Sequence, residues 1–154
     1  MSWLNDLLSN PFFLTSLSSW FIAQVMKVII NAIINKKIVW ERLVGDGGMP
    51  SGHSATVSSL AMIAGLRFGL ASFEFAMAGI LAVIVCHDAT GVRQETGKQA
   101  IIINEMLDTL ERMKMGYSSA IVLKEFVGHT PLQVAAGISI GIINAFVMHY
   151  FVFV

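Results

Sequence analysis

The sequence predicts an all-α fold, a polytopic membrane helix bundle, and three of its features lead there. Hydrophobic residues fill 55% of the 154 positions and charged residues only 13%, with a mean hydropathy of +0.71. A soluble domain carries about 25% charged residues, so this balance suits a chain whose solvent is largely lipid. The apolar residues gather into long runs near the ~20 residues that a helix needs to cross a bilayer. The polar residues gather mostly into one stretch, about 91–130. One integral membrane domain over 1–154 follows, with about four transmembrane helices and one or two amphipathic helices at the interface.

The chain opens without the basic region of a secretory signal, because residues 1–10 contain no Lys or Arg; the first apolar run is therefore expected to be retained. That run covers about 11–34. The second covers 54–70 and is interrupted by Gly65, Arg67 and Gly69. The third covers 73–90 and contains Gly79, and the fourth covers 131–154. As helices, all four satisfy their own backbone polar groups in lipid. Ala61, Gly65, Ala76, Gly79, Gly137 and Gly141 are small enough to let helices approach closely. The lone Cys86 excludes an internal disulfide and reads as a small core residue.

Within 91–130, Ile101, Ile102, Leu107, Leu110 and Met113 fall at helix-compatible spacings, the last three at three-residue steps. That spacing predicts an amphipathic helix lying along the membrane face or over the bundle mouth. Gly116 is expected to break it, with a second helix from about Ser118 to Val127.

Four crossings place both termini on one side and the two polar stretches on the other. The polar side carries Lys36, Lys37, Arg42, Arg93, Lys98, Arg112, Lys114 and Lys124, eight of the ten basic residues, against Arg67 near the other interface. The positive-inside bias makes the polar face cytoplasmic in a multi-pass protein of the cell membrane, with both termini opposite. A formal net charge of zero removes any case for a nucleic-acid partner based on basicity.

The chemistry-bearing residues cluster on that polar face. Gly47-Gly48-Met49-Pro50-Ser51-Gly52-His53-Ser54 sets two glycines, a proline and a histidine at the mouth of the second apolar run. Glycines let backbone N–H groups turn towards an anion, and a helix start carries partial positive charge, so the place suits a phosphate. His53 can exchange a proton near neutral pH. Asp88 and Arg93 close the third run on the same face; they bracket a site, or they form a structural ion pair. Lys27, seven residues before the end of the first run, either snorkels to the surface or meets an anionic head group. Lys36, Lys37 and Arg42 anchor the interface or attract anionic lipid.

If residues 124–131 stay helical, Glu125 and His129 are neighbours at i and i+4. A carboxylate on one imidazole nitrogen leaves the other free and more basic, as a nucleophilic histidine requires; the competing reading is a structural histidine. Asn104 bonds to the site or caps a neighbouring helix. His87 points away from Asp88, and His149 lies at the far membrane face.

Pro50-Ser51-Gly52-His53, the preceding double glycine, Asp88-Ala89-Thr90-Gly91-Val92-Arg93 and Gly128-His129-x-Pro131 together resemble the type-2 phosphatidic acid phosphatase superfamily, which includes vanadium haloperoxidases. The likeness is closer to its divergent short bacterial and plastid branch. The superfamily shows Lys-x6-Arg-Pro, then Pro-Ser-Gly-His, then Ser-Arg-x5-His-x3-Asp. Only the second motif is literal here. Lys27 stands for the first motif's lysine, but Ile34 occupies the arginine position, where Arg42 or Lys37 would have to substitute. The third motif is split between Arg93 and His129. Its trailing carboxylate is replaced by Gln133, which leaves Glu125 or Asp88 to orient the histidine.

The resemblance implies hydrolysis of a lipid phosphate or an isoprenoid diphosphate without metal or cofactor. His129 is then the nucleophile and forms a phosphohistidine, while His53 protonates the leaving group. Lys27, Arg93 and the backbone around Ser51 and Gly52 hold the phosphoryl oxygens. The partners implied are the bilayer and its lipids. The superfamily has six spanning helices, so a four-helix chain would be completed by homodimerisation. A lipid-phosphate binding or translocating protein without catalysis is the alternative.

Overall fold

Helix starts in this chain are written in its capping residues. The computed structural model describes residues 2–36, 47–113, 122–124 and 127–153. After a short helix α1, Ser2–Leu8, the Asn10 side chain accepts the N–H groups of Phe12 and Phe13 and Pro11 opens α2, Pro11–Asn35. The Ser51 hydroxyl caps α3, Gly52–Phe68, and the Ser72 hydroxyl caps α4, Phe73–Thr90. After α5, Val92–Arg112, Thr130 and Gln133 form a reciprocal capping box on α6, Pro131–Val147, with Pro131 in its first turn. A π-helical turn, Met148–Val152, extends α6. Each such side chain satisfies N–H groups that the first helical turn leaves orphaned. Among the described residues there is no strand.

Among the described residues, three helical stretches are long and apolar enough to cross a membrane: Pro11–Asn35, Phe73–Arg112 and Pro131–Val152. The expected fourth span, 54–70, differs from them. Its helix α3 has 17 residues, about 25 Å at 1.5 Å per residue, and buries Ser54, Ser58 and Ser59. These polar residues lower its apolarity because it is the central helix, packed against α2, α4 and α6 rather than against lipid. It nevertheless runs beside α6 from end to end. The Ser51 N–H donates to the Gln133 carbonyl at 3.0 Å, and at the other end Arg67 Nη2 donates to the Phe153 carbonyl at 2.9 Å. Phe12 stacks on Phe68 with ring centroids 5.2 Å apart. Both ends of the described chain thus lie opposite the end formed by Asn35, Gly52, Thr90 and Pro131.

Several polar side chains of the bundle bond within it. Ser59 donates to the Thr56 carbonyl and Thr56 to the Gly52 carbonyl, each at 2.8 Å. Asn144 on α6 donates to Ser18 Oγ at 2.9 Å and Ser19 Oγ at 2.8 Å on α2. Such bonds average about 0.6 kcal/mol between membrane helices, so they add specificity to a bundle that packing holds together.

Close packing centres on two glycines of α6. A Cβ on Gly137 would collide with the Ser51 carbonyl, and one on Gly141 would collide with Ser58 Oγ and the Ala55 carbonyl. Gly79 on α4 has open space at the same position. The glycines of α6 therefore set the α3–α6 distance, while on the α4 side Gly65 of α3 makes room for the Phe75 ring.

Helix α5 leaves the bundle. Gly97 and Ala100 are buried, whereas Ile102, Ile103, Met106 and Met113 are exposed, as on an amphipathic helix. Asn104 neither reaches the site nor caps a helix. It brackets Leu123, donating to its carbonyl and accepting its N–H, each at 3.0 Å. With its backbone satisfied by a side chain, Leu123 has no need of helical neighbours, and residues 122–124 are not helical. The helix expected over 118–127 is absent there; the rest of that range, apart from Val127, lies outside the described residues.

Replacing Gly141 with Leu is expected to destabilise the protein by at least the ~1–3 kcal/mol typical of overpacking, whereas Gly79→Ala is expected to change stability by less than about 1 kcal/mol. Thermal unfolding in detergent reads both, and equal effects would show that the α3–α6 contact does not limit stability.

Candidate active site

The site forms where the loop before α6 crosses the junction of α4 and α5. Gly91 interrupts the helical path there, with φ −104° and ψ −100° and no side-chain cap. At that break the Ala89 carbonyl accepts the backbone N–H of His129 at 2.9 Å. The preceding Gly128 has φ +86°, and a Cβ on it would run into the backbone of Arg93 and Gln94. Only glycine combines this left-handed conformation with so close an approach. These local constraints carry His129 to the end of the bundle and bury it, 5% exposed.

His53, on the first turn of α3, faces the same space from the other side. One cavity of about 220 Å³ is lined by Gly47, His53, Asp88, Arg93, Gly128 and His129, with Ile84, Val85, Ala89 and Val127 completing its wall. A water occupies about 30 Å³ of liquid volume, so several small polar atoms fit. Two further cavities share Gly48 and Gln133. One runs past Gly48, Gln94, Lys98, His129 and Gln133, and the other past Lys27, Asn31, Gly48 and Gln133.

Arg93 Nε and Asp88 Oδ2 are 2.6 Å apart in a half-exposed ion pair. This bond uses Nε, so the two Nη groups form the edge of the guanidinium fork that a ligand can meet. Lys27 is buried at 4% exposure, and its positive charge acts on the His129 ring. It does not snorkel to the surface.

Among the described residues, the partner that orients His129 is an amide and not Asp88. The His129 Nδ1 lies 3.2 Å from Gln133 Oε1, while Asp88 is engaged with Arg93. Residues 127–130 are not helical, so the i and i+4 geometry assumed for Glu125 and His129 does not arise. Glu125 and Arg42 themselves lie outside the described residues. Ser51 and Gly52 do not line the cavity either. The Ser51 hydroxyl caps α3 and its N–H binds the Gln133 carbonyl, while Gly52 packs against Trp20 and Gln24. Gly47 takes the cavity wall in their place. The structure thus brings together Lys27, His53, Asp88, Arg93 and His129, and it adds Gln133. A signal for Gln133 was present in the sequence: Thr130-x-x-Gln133 is a capping-box pattern, and Gln133 stands four residues after His129.

Burial pushes the His129 pKa below the ordinary histidine value, and the charges of Lys27 and His53 act in the same direction. Hydrogen bonds to Gln133 and to the Gly48 backbone oppose the shift without cancelling it.

The fold and the site together define a polytopic α-helical membrane protein with two histidines and an arginine facing one cavity at a bundle end. The chain belongs to the Divergent PAP2 family, whose profile matches residues 8–144. It is 39% identical over 155 residues to the uncharacterized membrane protein YuiD of Bacillus subtilis (strain 168), covering 95% of this chain and 98% of that protein. No solved structure matches it.

An NMR titration of His129 is expected to give a midpoint below that of an exposed histidine. The unfolded chain then binds the proton more readily, so this group's contribution to stability is full above the ordinary histidine pKa and falls as pH drops through it. A midpoint at or above the ordinary value would contradict the burial of this ring.

Proposed function

We propose that this protein is a membrane-embedded phosphohydrolase acting on a lipid phosphate or an isoprenoid diphosphate through a phosphohistidine. The observation that carries this reading is the meeting of His53 and His129 on one cavity that Arg93 also lines, at the end of an apolar bundle. Family membership supports it.

In this mechanism a ring nitrogen of His129 attacks phosphorus, and the bond from phosphorus to the leaving oxygen breaks. His53 donates a proton to that oxygen, releasing the lipid alcohol or monophosphate. Water then attacks the phosphohistidine and gives a proton to His53, and cleavage of the P–N bond releases inorganic phosphate. Arg93 and Lys27 offset charge on the phosphoryl oxygens, the term that usually dominates such catalysis. Asp88 holds Arg93 in place. The lipid tail remains in the bilayer beside the bundle while the phosphate enters the cavity. The basic residues around the site support a cytoplasmic location in the cell membrane.

The second reading, binding or translocation of a lipid phosphate without hydrolysis, is favoured by one observation. A neutral amide, Gln133, stands where the superfamily motif has a carboxylate.

Purified protein in detergent is expected to release phosphate from some member of a panel of lipid phosphates and isoprenoid diphosphates. His129→Ala and His53→Ala are each expected to lower the rate by about 10²–10⁴-fold. Release that survives both substitutions would overturn the mechanism, and binding without release would favour the second reading. Cysteine introduced at Arg112 in a Cys86→Ser background is expected to react from the cytoplasmic side; labelling from outside would reverse the orientation.

A further inference from the structure

We propose that Gln133 is the positioning residue of this site: its side-chain oxygen fixes His129 as the Nδ1–H tautomer, and its main-chain carbonyl fixes the turn that carries His53. The tautomer is read from the Gln133 contact at Nδ1, with the Gly48 backbone as a further hydrogen-bonding partner of the ring; its catalytic consequence rests on the reading of His129 as nucleophile.

The amide orientation is determined by the backbone. Gln133 Oε1 lies 3.1 Å from the Thr130 N–H. A peptide N–H can only donate, so the atom facing it is the amide oxygen and not the amide nitrogen. The same oxygen lies 3.2 Å from His129 Nδ1. An amide oxygen can only accept, so in the neutral ring Nδ1 carries the hydrogen and Nε2 keeps the lone pair. A capping interaction that starts α6 therefore also selects the nitrogen available for attack.

The second half of the site is tied to the same residue. The Gln133 carbonyl accepts the Ser51 N–H at 3.0 Å, and His53 follows Ser51 by two residues. The close fit of Gly137 beneath the Ser51 carbonyl permits that contact. One side chain and one carbonyl of a single residue thus set both histidines.

The partner is neutral, and this has a consequence for pH. A carboxylate would hold Nδ1–H and also stabilise the imidazolium; an amide holds the same hydrogen with no net charge. Among the described residues, the charged and titratable groups around His129 are Lys27 from α2, His53 from α3, the Asp88–Arg93 pair at the α4–α5 junction, and the Lys98–Glu95 pair on α5. Both acidic members of the pairs are already matched by a cation. With an amide at 133, the neutral ring persists to lower pH than it would with a carboxylate there.

The test is ¹⁵N NMR of histidine-labelled full-length protein in detergent, with the His129 resonances assigned by their loss in His129→Asn. Wild type is expected to show the Nδ1–H tautomer. Gln133→Glu should keep that tautomer and raise the titration midpoint by about one to three pH units; Gln133→Ala should mix the tautomers. In lipid phosphate hydrolysis, Gln133→Ala should lower kcat about 10- to 100-fold with little change in KM. Gln133→Glu should move the acid limb of kcat/KM upward in step with the NMR midpoint. An Nε2–H tautomer in wild type, or a tautomer unchanged in Gln133→Ala, overturns the inference. If the NMR result is as expected and no lipid phosphate is hydrolysed, positioning by Gln133 stands and the hydrolase reading fails.

Discussion

At Gly137 the Ser51 carbonyl occupies the place where a side chain would begin, and at Gly141 the α3 backbone and Ser58 do the same. This approach of α3 to α6 is the constraint from which the rest of the site follows. It brings the start of α3 within hydrogen-bonding distance of the first turn of α6, where the Ser51 N–H meets the Gln133 carbonyl. A methyl group at either glycine would force the helices apart by more than a hydrogen bond tolerates. The small residues of this bundle are thus unequal. Those facing α3 fix its geometry, while Gly79 faces open space.

A second constraint acts on the loop that enters α6. The break at Gly91 lets the Ala89 carbonyl bind the His129 N–H, and the left-handed Gly128 lets that loop lie directly on the backbone of Arg93 and Gln94. Backbone contacts, not side-chain attraction, carry His129 to its position. Rigid main-chain placement suits the proposed nucleophile, whose ring would have to meet a phosphorus atom within narrow limits of distance and angle. It also explains how a motif split over Arg93 and His129 converges on a single cavity.

The polar residues of this apolar protein fall into two groups with different physics. Ser54, Ser58, Ser59, Thr56 and Asn144 bond within the bundle, so lipid meets mainly apolar surface. At the site end His53, Arg93 and His129 line one cavity, with Asp88 bound to Arg93, and Lys27 lines a neighbouring one. Burial favours the neutral form of His129, the form that the proposed phosphoryl transfer needs.

The sequence by itself determined the membrane class and the bounds of the long apolar helices, and it singled out Lys27, His53, Asp88, Arg93 and His129, which the fold gathers at one end of the bundle. Apolar run lengths report bilayer thickness directly, and caps such as Asn10, Ser72 and Thr130 act within a few residues, so both are local and legible. Pro50-Ser51-Gly52-His53, Arg93 and His129 were legible because their chemistry is unusual at a membrane mouth. The central position of α3 was not, since its serines weaken the apolar signal and only packing on three neighbours accounts for them. The partner of His129 was also decided by tertiary structure. Periodicity offered Glu125 on the assumption of a continuing helix, but Gly128 and the Ala89 contact end that assumption and turn the ring to Gln133. The opening stretch 47–54 changed role as well: Ser51 and Gly52 became the joint between two helices, and His53 and Gly47 kept the cavity. Which backbone groups remain free for a ligand depends on what the rest of the chain has already bound, and that is settled only when distant segments meet.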